Sequence, residues 1–172
     1  MQYSDLRPQI KTGDLMLVEG IRLASEIIED VTGGRFSHVG VFYTDSAGGV
    51  WVAEEIETIG YHCIPASSAL AEQAGPVYLG IAPVPVRQQP EKVLEVVQKF
   101  RSDKSLQPYG WITLPEVLVA HCLGTKFDPE KVQAVCSIFA QRTWMACGMK
   151  FETLETPSDF DGLVAGTEQI DI

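Results

Sequence analysis

The chain has 172 residues, 45% of them hydrophobic, which is enough to bury one sizeable core and leads us to expect a single domain over 1–172. A formal charge of −10 argues against a nucleic-acid partner, because phosphate contacts need clustered Lys and Arg and the 13 present are scattered. The start MQYSDLRPQIKTGDLM has no basic, apolar and small-residue succession of a signal peptide, and no apolar run reaches the roughly 18 residues of a membrane span, so a cytoplasmic protein without a transmembrane segment is expected.

In chain order, DLMLV at 14–18 follows Gly13 as a short apolar run and predicts a buried strand. Ile21, Ala24, Ile27, Ile28 and Val31 then recur at helical spacing, and Gly33-Gly34 stops that helix. HVGVFYT at 38–44 and VWVAEEI at 50–56 flank DSAGG, a hairpin signal that makes them antiparallel neighbours. GPVYLGIA at 75–82 reads as a further strand. Pro90 opens EKVLEVVQKF, whose Val93, Val96, Val97 and Phe100 form one apolar face, and a loop runs from there to Pro108.

Two helices are expected in the last third, LPEVLVAHCLG ending at Gly124 and VCSIFAQRTWMACG ending at Gly148. In the second, Val135, Ile138, Phe139 and Met145 are expected to form the buried stripe, with Gln141 and Arg142 on the other side. The acidic tail after TPSDF has little periodicity and reads as a peripheral strand or as disorder.

Four cysteines, Cys63, Cys122, Cys136 and Cys147, are spread through a chain large enough to need no staples, and in a reducing compartment they read as thiols. A nucleophilic cysteine needs a nearby imidazole and gains from the positive end of a helix. Cys136 fits best if its helix starts near Val135; if one helix runs unbroken from Pro129 to Cys147, that advantage is lost. Cys147 falls at the negative end of the same helix, where a thiolate is disfavoured. Cys63 and Cys122, in apolar company, read as small buried hydrophobes. His38, heading an apolar strand, reads either as a packed core residue or as a base. A base needs a partner for its second nitrogen, and AEE on the neighbouring strand supplies Glu54 and Glu55. Strand alternation sends these two to opposite faces, so one can look at His38 and the other is expected at the surface. His62 is the remaining candidate for a third group.

GDLMLVEG, GRFSHVGVFYTD, VWVAEEIETIGYHCIP, YGW, VCSIFAQRTWMACG and TPSDF together resemble the circularly permuted branch of the NlpC-type papain-like superfamily, nearest to its YiiX/YebB-like group, with lecithin:retinol acyltransferase as a distant relative. The resemblance covers about residues 12–160. It implies an α+β, permuted papain-like fold, a central antiparallel sheet packed against helices, in which the His strand precedes the Cys helix. It further implies Cys136 as nucleophile, His38 as base, and Glu54 as orienter by alignment of WVAE, with Glu55 as the alternative. Tyr109 matches a tyrosine that the family often carries and is given a substrate-side role. The acidic residue common two positions after the family's cysteine is Ile138 here, so a supporting contact is absent or replaced.

The implied activity is a thiol hydrolase that cleaves an amide or peptide bond through an acyl-enzyme, with an acyl-lipid hydrolase or acyltransferase as the alternative. The expected partner is a small peptide, amide or acyl substrate. No cofactor is expected. Two further readings stand beside it. One is a non-catalytic ligand-binding module on the same fold. The other is a metal protein using the HC pairs at 62–63 and 121–122 with Cys136, disfavoured because adjacent residues rarely serve one tetrahedral site and no C-x-x-C occurs.

Overall fold

Alternating side chains, not a long amphipathic helix, organise the molecule. The structure is a computed structural model that describes residues 1–20, 34–57, 59–108 and 135–171. The helix expected over Ile21 to Val31, the helix ending at Gly124, and Tyr109, His121 and Cys122 all lie outside the described residues. Six strands form one sheet: β1 (Leu15–Val18), β2 (His38–Thr44), β3 (Val50–Ile56), β4 (Gly60–Pro65), β5 (Val77–Gly80) and β6 (Thr167–Ile170), in the order β4-β3-β2-β1-β5-β6. Every neighbouring pair is antiparallel. The described helices are α1 (Tyr3–Leu6), α2 (Ala66–Glu72), α3 (Val84–Arg87), α4 (Pro90–Ser102) and α5 (Cys136–Ala146), with a 3-10 turn at Asp159–Gly162. The protein is therefore α+β with an antiparallel sheet.

β1 lies in the middle of the sheet, covered on both faces, which is why LMLV is an unbroken apolar run. Its Leu15 and Leu17 join Val39, Val41 and Tyr43 of β2 and Ala53 of β3 on one face, where Val93, Val97 and Phe100 of α4 and Phe139, Ala140 and Trp144 of α5 cover them. Its Met16 and Val18 join Phe42, Val50 and Val52 on the opposite face, under Leu6 of α1 and Ala66, Ala69 and Leu70 of α2. The hairpin strands occupy the expected ranges, with Thr44 opposite Val50. β4 and α2 are absent from the sequence reading, because GYHCIP has no clean period of two.

Helix α5 departs from its expected stripe. Gln141 is buried rather than outward, donating to the Thr153 carbonyl at 2.7 Å and accepting from the Glu155 N–H at 3.3 Å, while Met145 is only partly buried. Trp144 takes the deep position and donates its indole N–H to the Gly13 carbonyl at 3.0 Å. Gly13 has φ +98°, and a Cβ there would come within 2.5 Å of Val86. Only glycine fits both the conformation and the space. The tail forms β6, an edge strand on β5.

Asp14 ties the sheet to its connections. It is fully buried, accepts from the backbone N–H groups of Lys11 (2.8 Å) and Ala82 (2.9 Å), and receives a two-pronged bond from Arg87 at 2.8 and 2.7 Å. Such a planar pair fixes direction as well as distance. Asp14→Ala orphans the buried Ala82 N–H and the Arg87 guanidinium, and should lower the unfolding free energy by about 3 kcal/mol in urea melts. Because Arg87 is 30% exposed and can regain water, the Asp14→Ala/Arg87→Ala pair should cost clearly less than the two single changes added together. Additive losses would show that the clamp is not a unit.

Candidate active site

The site begins where β2 begins. The chain enters the strand through Phe36, whose N–H donates to the Ser158 hydroxyl at 2.7 Å while that hydroxyl donates back to the Phe36 carbonyl at 3.0 Å. Phe36 is buried edge-on against Tyr78, with ring centroids 5.5 Å apart. Thr156, in the same TPSDF segment, donates both its N–H and its hydroxyl to Asp159 at 2.7 Å. A segment late in the chain therefore fixes the residue that leads into His38.

His38 opens β2, and its Nε2 donates to Glu54 Oε2 at 2.7 Å. Glu54 is 1% exposed on the same face as Val52, and the strand between it and His38 is kept low by Gly40. A Cβ at Gly40 would sit 2.8 Å from Val52 Cγ1, 3.3 Å from the Met16 methyl and 3.4 Å from Glu54 Cβ. The glycine in SHVG is thus what lets the carboxyl lie flat across β2 toward the histidine. His62, opposite Glu54 on β4, places Nδ1 3.8 Å from Glu54 Oε1, too long for a hydrogen bond, and among the described residues both atoms are buried without a hydrogen-bond partner. Glu54 therefore stands between two imidazoles and is bonded to one.

Cys136 is the first residue of α5. The preceding Val135 is extended at φ −115°, ψ 173°, so α5 starts at the cysteine and does not continue a helix from Pro129. That resolves the alternative left open by the sequence in favour of a helix-start thiol. First-turn N–H groups of a helix lack intrahelical acceptors, and here no side chain caps them. Burial alone would pull the His38 pKa down, but hydrogen bonding to the Cys136 thiol and to Glu54, reinforced by their charges, pushes it up to about 10. The raised value favours the imidazolium at neutral pH, beside the Cys136 sulfur and the Glu54 carboxyl.

Glu55 corrects an expectation. It is 0% exposed rather than a surface charge, because alternation sends Glu55 to the face of β3 on which α5 packs, and that face is covered. It does not reach His38. It lies on the face of Ala53 and α5, and among the described residues neither of its oxygens has a hydrogen-bond partner. Burial, then the charge of Cys136, push its pKa up to about 9, against the opposing pull of Arg142.

The other cysteines differ from one another. Cys147 is buried at the C-terminal end of α5, and burial followed by Glu91 raises its pKa, with Lys92 opposing. Cys63 is half-buried rather than a core hydrophobe, and its sulfur lies 2.9 Å from the Tyr43 hydroxyl. His62 and Cys63 project to opposite faces of β4, so the HC pair cannot act as two ligands of one ion.

No family model and no curated protein matches the chain. Among solved structures it is similar to the metalloprotein yiiX from Escherichia coli O157:H7, at 16% sequence identity and a TM-score of 0.50, over 95% of this chain and 97% of that one. At that identity the likeness concerns the fold alone, and it supports a YiiX-like fold. Among the described residues, no three His, Cys, Asp or Glu side chains are grouped to hold a metal ion. Among the same residues no helix is long and apolar enough to cross a membrane.

The buried Glu55 makes stability depend on pH. Its pKa near 9 in the fold exceeds the ordinary 4.5, so between those values the folded state keeps a proton that the unfolded chain releases. Stability on this account falls as pH rises from about 4.5 to about 9, with a limiting slope of about 1.4 kcal/mol per pH unit. Glu55→Gln removes the titration. Its advantage over the natural protein in urea melts should grow steadily from pH 5 to pH 8, and parallel stability profiles would contradict the assignment.

Proposed function

We propose that the protein is a thiol hydrolase in which Cys136 is the nucleophile, His38 the base and Glu54 the orienter. The single observation that carries this reading is that one imidazole, His38, is bonded to a buried carboxyl at 2.7 Å while also facing the thiol at the first position of a helix. Three groups in that relation are the parts needed for nucleophilic acyl transfer. The fold reading extends likewise: we take the chain as a permuted papain-like domain, with the histidine strand ahead of the cysteine helix.

In this mechanism Glu54 accepts from Nε2, which leaves Nδ1 to serve the sulfur. The Cys136 sulfur adds to the substrate carbonyl carbon, and the carbonyl oxygen becomes an oxyanion received by the uncapped N–H groups of the first turn of α5. The C–N bond then breaks as His38 hands its proton to the leaving amine. Neutral His38 next takes a proton from water, whose oxygen attacks the thioester, and Cys136 leaves as thiolate beside a restored imidazolium. An amide or peptide is the substrate class we favour. An acyl-lipid ester is the alternative, since the same steps apply to an alcohol leaving group.

Iodoacetamide should label Cys136 at neutral pH at least tenfold faster than Cys63 or Cys147, located by peptide mapping. His38→Ala should remove most of that advantage, because the sulfur loses its neighbouring cation. Glu54→Ala should give a partial loss with the fold retained, since the ring stays but is no longer held. Release of a fluorescent amine from a panel of peptide amides should vanish in Cys136→Ser. Equal labelling of Cys136, Cys63 and Cys147 would leave a ligand-binding module on the same fold as the better reading.

A further inference from the structure

Glu54 has two carboxyl oxygens, and the proposed mechanism uses one. Oε2 receives the His38 N–H at 2.7 Å, while Oε1 is buried and has no hydrogen-bond partner among the described residues. The atom that faces Oε1 is Nδ1 of His62, 3.8 Å away, itself buried and without a hydrogen-bond partner among those residues. The register explains the meeting. Glu54 and His62 are direct cross-strand partners on β3 and β4, a placement that sets two side chains against each other on one face of the sheet. On the β2 side the neighbour is Gly40, which carries no side chain and lets the carboxyl reach His38. The carboxyl is thus bounded by an imidazole on either side.

Two hydrogen bonds of about 2.8 Å meeting at a bridging water place their ends about 4.6 Å apart, so the 3.8 Å gap is too short for an interposed water in good geometry. A direct contact requires the two atoms to approach by about 1 Å. His62 can supply that movement: its side chain is 25% exposed and its strand stands at the end of the sheet order, whereas Glu54 is 1% exposed and already bonded.

We propose that His62 is a second positioning residue of the site: its Nδ1–H donates to Glu54 Oε1 and fixes the carboxyl so that Oε2 stays aimed at His38. This rests on the reading of Cys136 as nucleophile, His38 as base and Glu54 as orienter, and it adds the group that holds the orienter. A carboxyl bonded through one oxygen still turns about its last carbon–carbon bond, and the His38 ring turns with it. A bond to the second oxygen removes that freedom and keeps Nδ1 of His38 toward the sulfur. The role requires a proton on Nδ1 of His62, which the ring carries as a cation and in one of its two neutral tautomers.

Three measurements on the full chain test this. In nitrogen-15 NMR of the histidine-labelled natural protein at pH 7, His62 should carry a proton on Nδ1, with a resonance that shifts in Glu54→Ala. His62→Leu removes the donor, and iodoacetamide labelling of Cys136 at neutral pH should slow by roughly three- to tenfold, the scale of one hydrogen bond. His62→Asn, whose amide nitrogen can stand where Nδ1 stood, should recover most of that loss. In a Glu54→Ala background His62→Leu should slow labelling no further, because a residue that acts through Glu54 has nothing left to act on. A bare Nδ1 on His62, an unchanged rate in His62→Leu, no recovery by Asn, or equal slowing with and without Glu54 overturns the proposal. If Cys136 of the natural protein labels no faster than Cys63 and Cys147 while the NMR shows the His62–Glu54 bond, the hydrolase reading fails and the contact stands as a structural one.

Discussion

Two adjacent carboxyl groups, Glu54 and Glu55, are buried at 1% and 0% exposure on opposite faces of one strand, and the arrangement around them follows from that constraint. Each carboxyl has to be neutralised or paired, because an isolated charge in a protein interior is far more costly than any packing gain nearby. On one face the solution is a histidine at hydrogen-bond distance. On the other, burial pushes the Glu55 pKa up to about 9, which favours the neutral acid. A single covalent step along β3 thus places one carboxyl against His38 and the other on the face of α5, whose first residue, Cys136, shares His38 with Glu54.

Holding the histidine at that place takes contributions from distant parts of the chain. Gly40 keeps β2 low enough for Glu54 to cross it, Ser158 clasps the backbone of Phe36, and Trp144 and Phe139 seat α5 against Gly13 and Tyr61. None of these residues has reactive chemistry of its own. Their effect is to remove freedom from two side chains, and a site whose parts are fixed before the substrate arrives loses less entropy when it reacts. Asp14 does the same one layer further out, joining the start of β1 to Arg87 through two parallel bonds.

Much of this was legible in the sequence where one local rule dominated. The β2–β3 hairpin was read at the ends it has, because alternation and DSAGG both pointed to it, and Pro90 marked the start of α4. β4 was missed: at the sheet edge GYHCIP buries no face fully, so no period of two is written into it. Gln141 was assigned to the outside of α5 because a polar side chain on a helix usually is. It is buried because two backbone groups of the following segment, at Thr153 and Glu155, meet its amide, a long-range match that no helical period records. Glu55 was misplaced for a related reason. Alternation correctly separated it from Glu54, but alternation says which face a residue takes and not whether that face is covered.

The order of the functional parts along the chain is immaterial to the proposed chemistry. What matters is that a strand-opening histidine and a helix-opening cysteine meet at one end of the sheet. β2 and β3 lie inside the sheet with a strand on either side, and α5 packs over them with residues buried on several of its faces, so the thiol is placed by helix packing against an imidazole–carboxyl pair placed by strand pairing. The pair can therefore exist without a competent nucleophile, but the thiol depends on the pair for its neighbouring cation. A loss of packing under Trp144 or Phe139 acts on the α5 half: it should move Cys136 relative to His38 while leaving the 2.7 Å His38–Glu54 bond in place. Damage to the core below α5 then reads out as lost thiol chemistry before it reads out as an unfolded sheet, which is the behaviour of a site assembled between two layers and not within one.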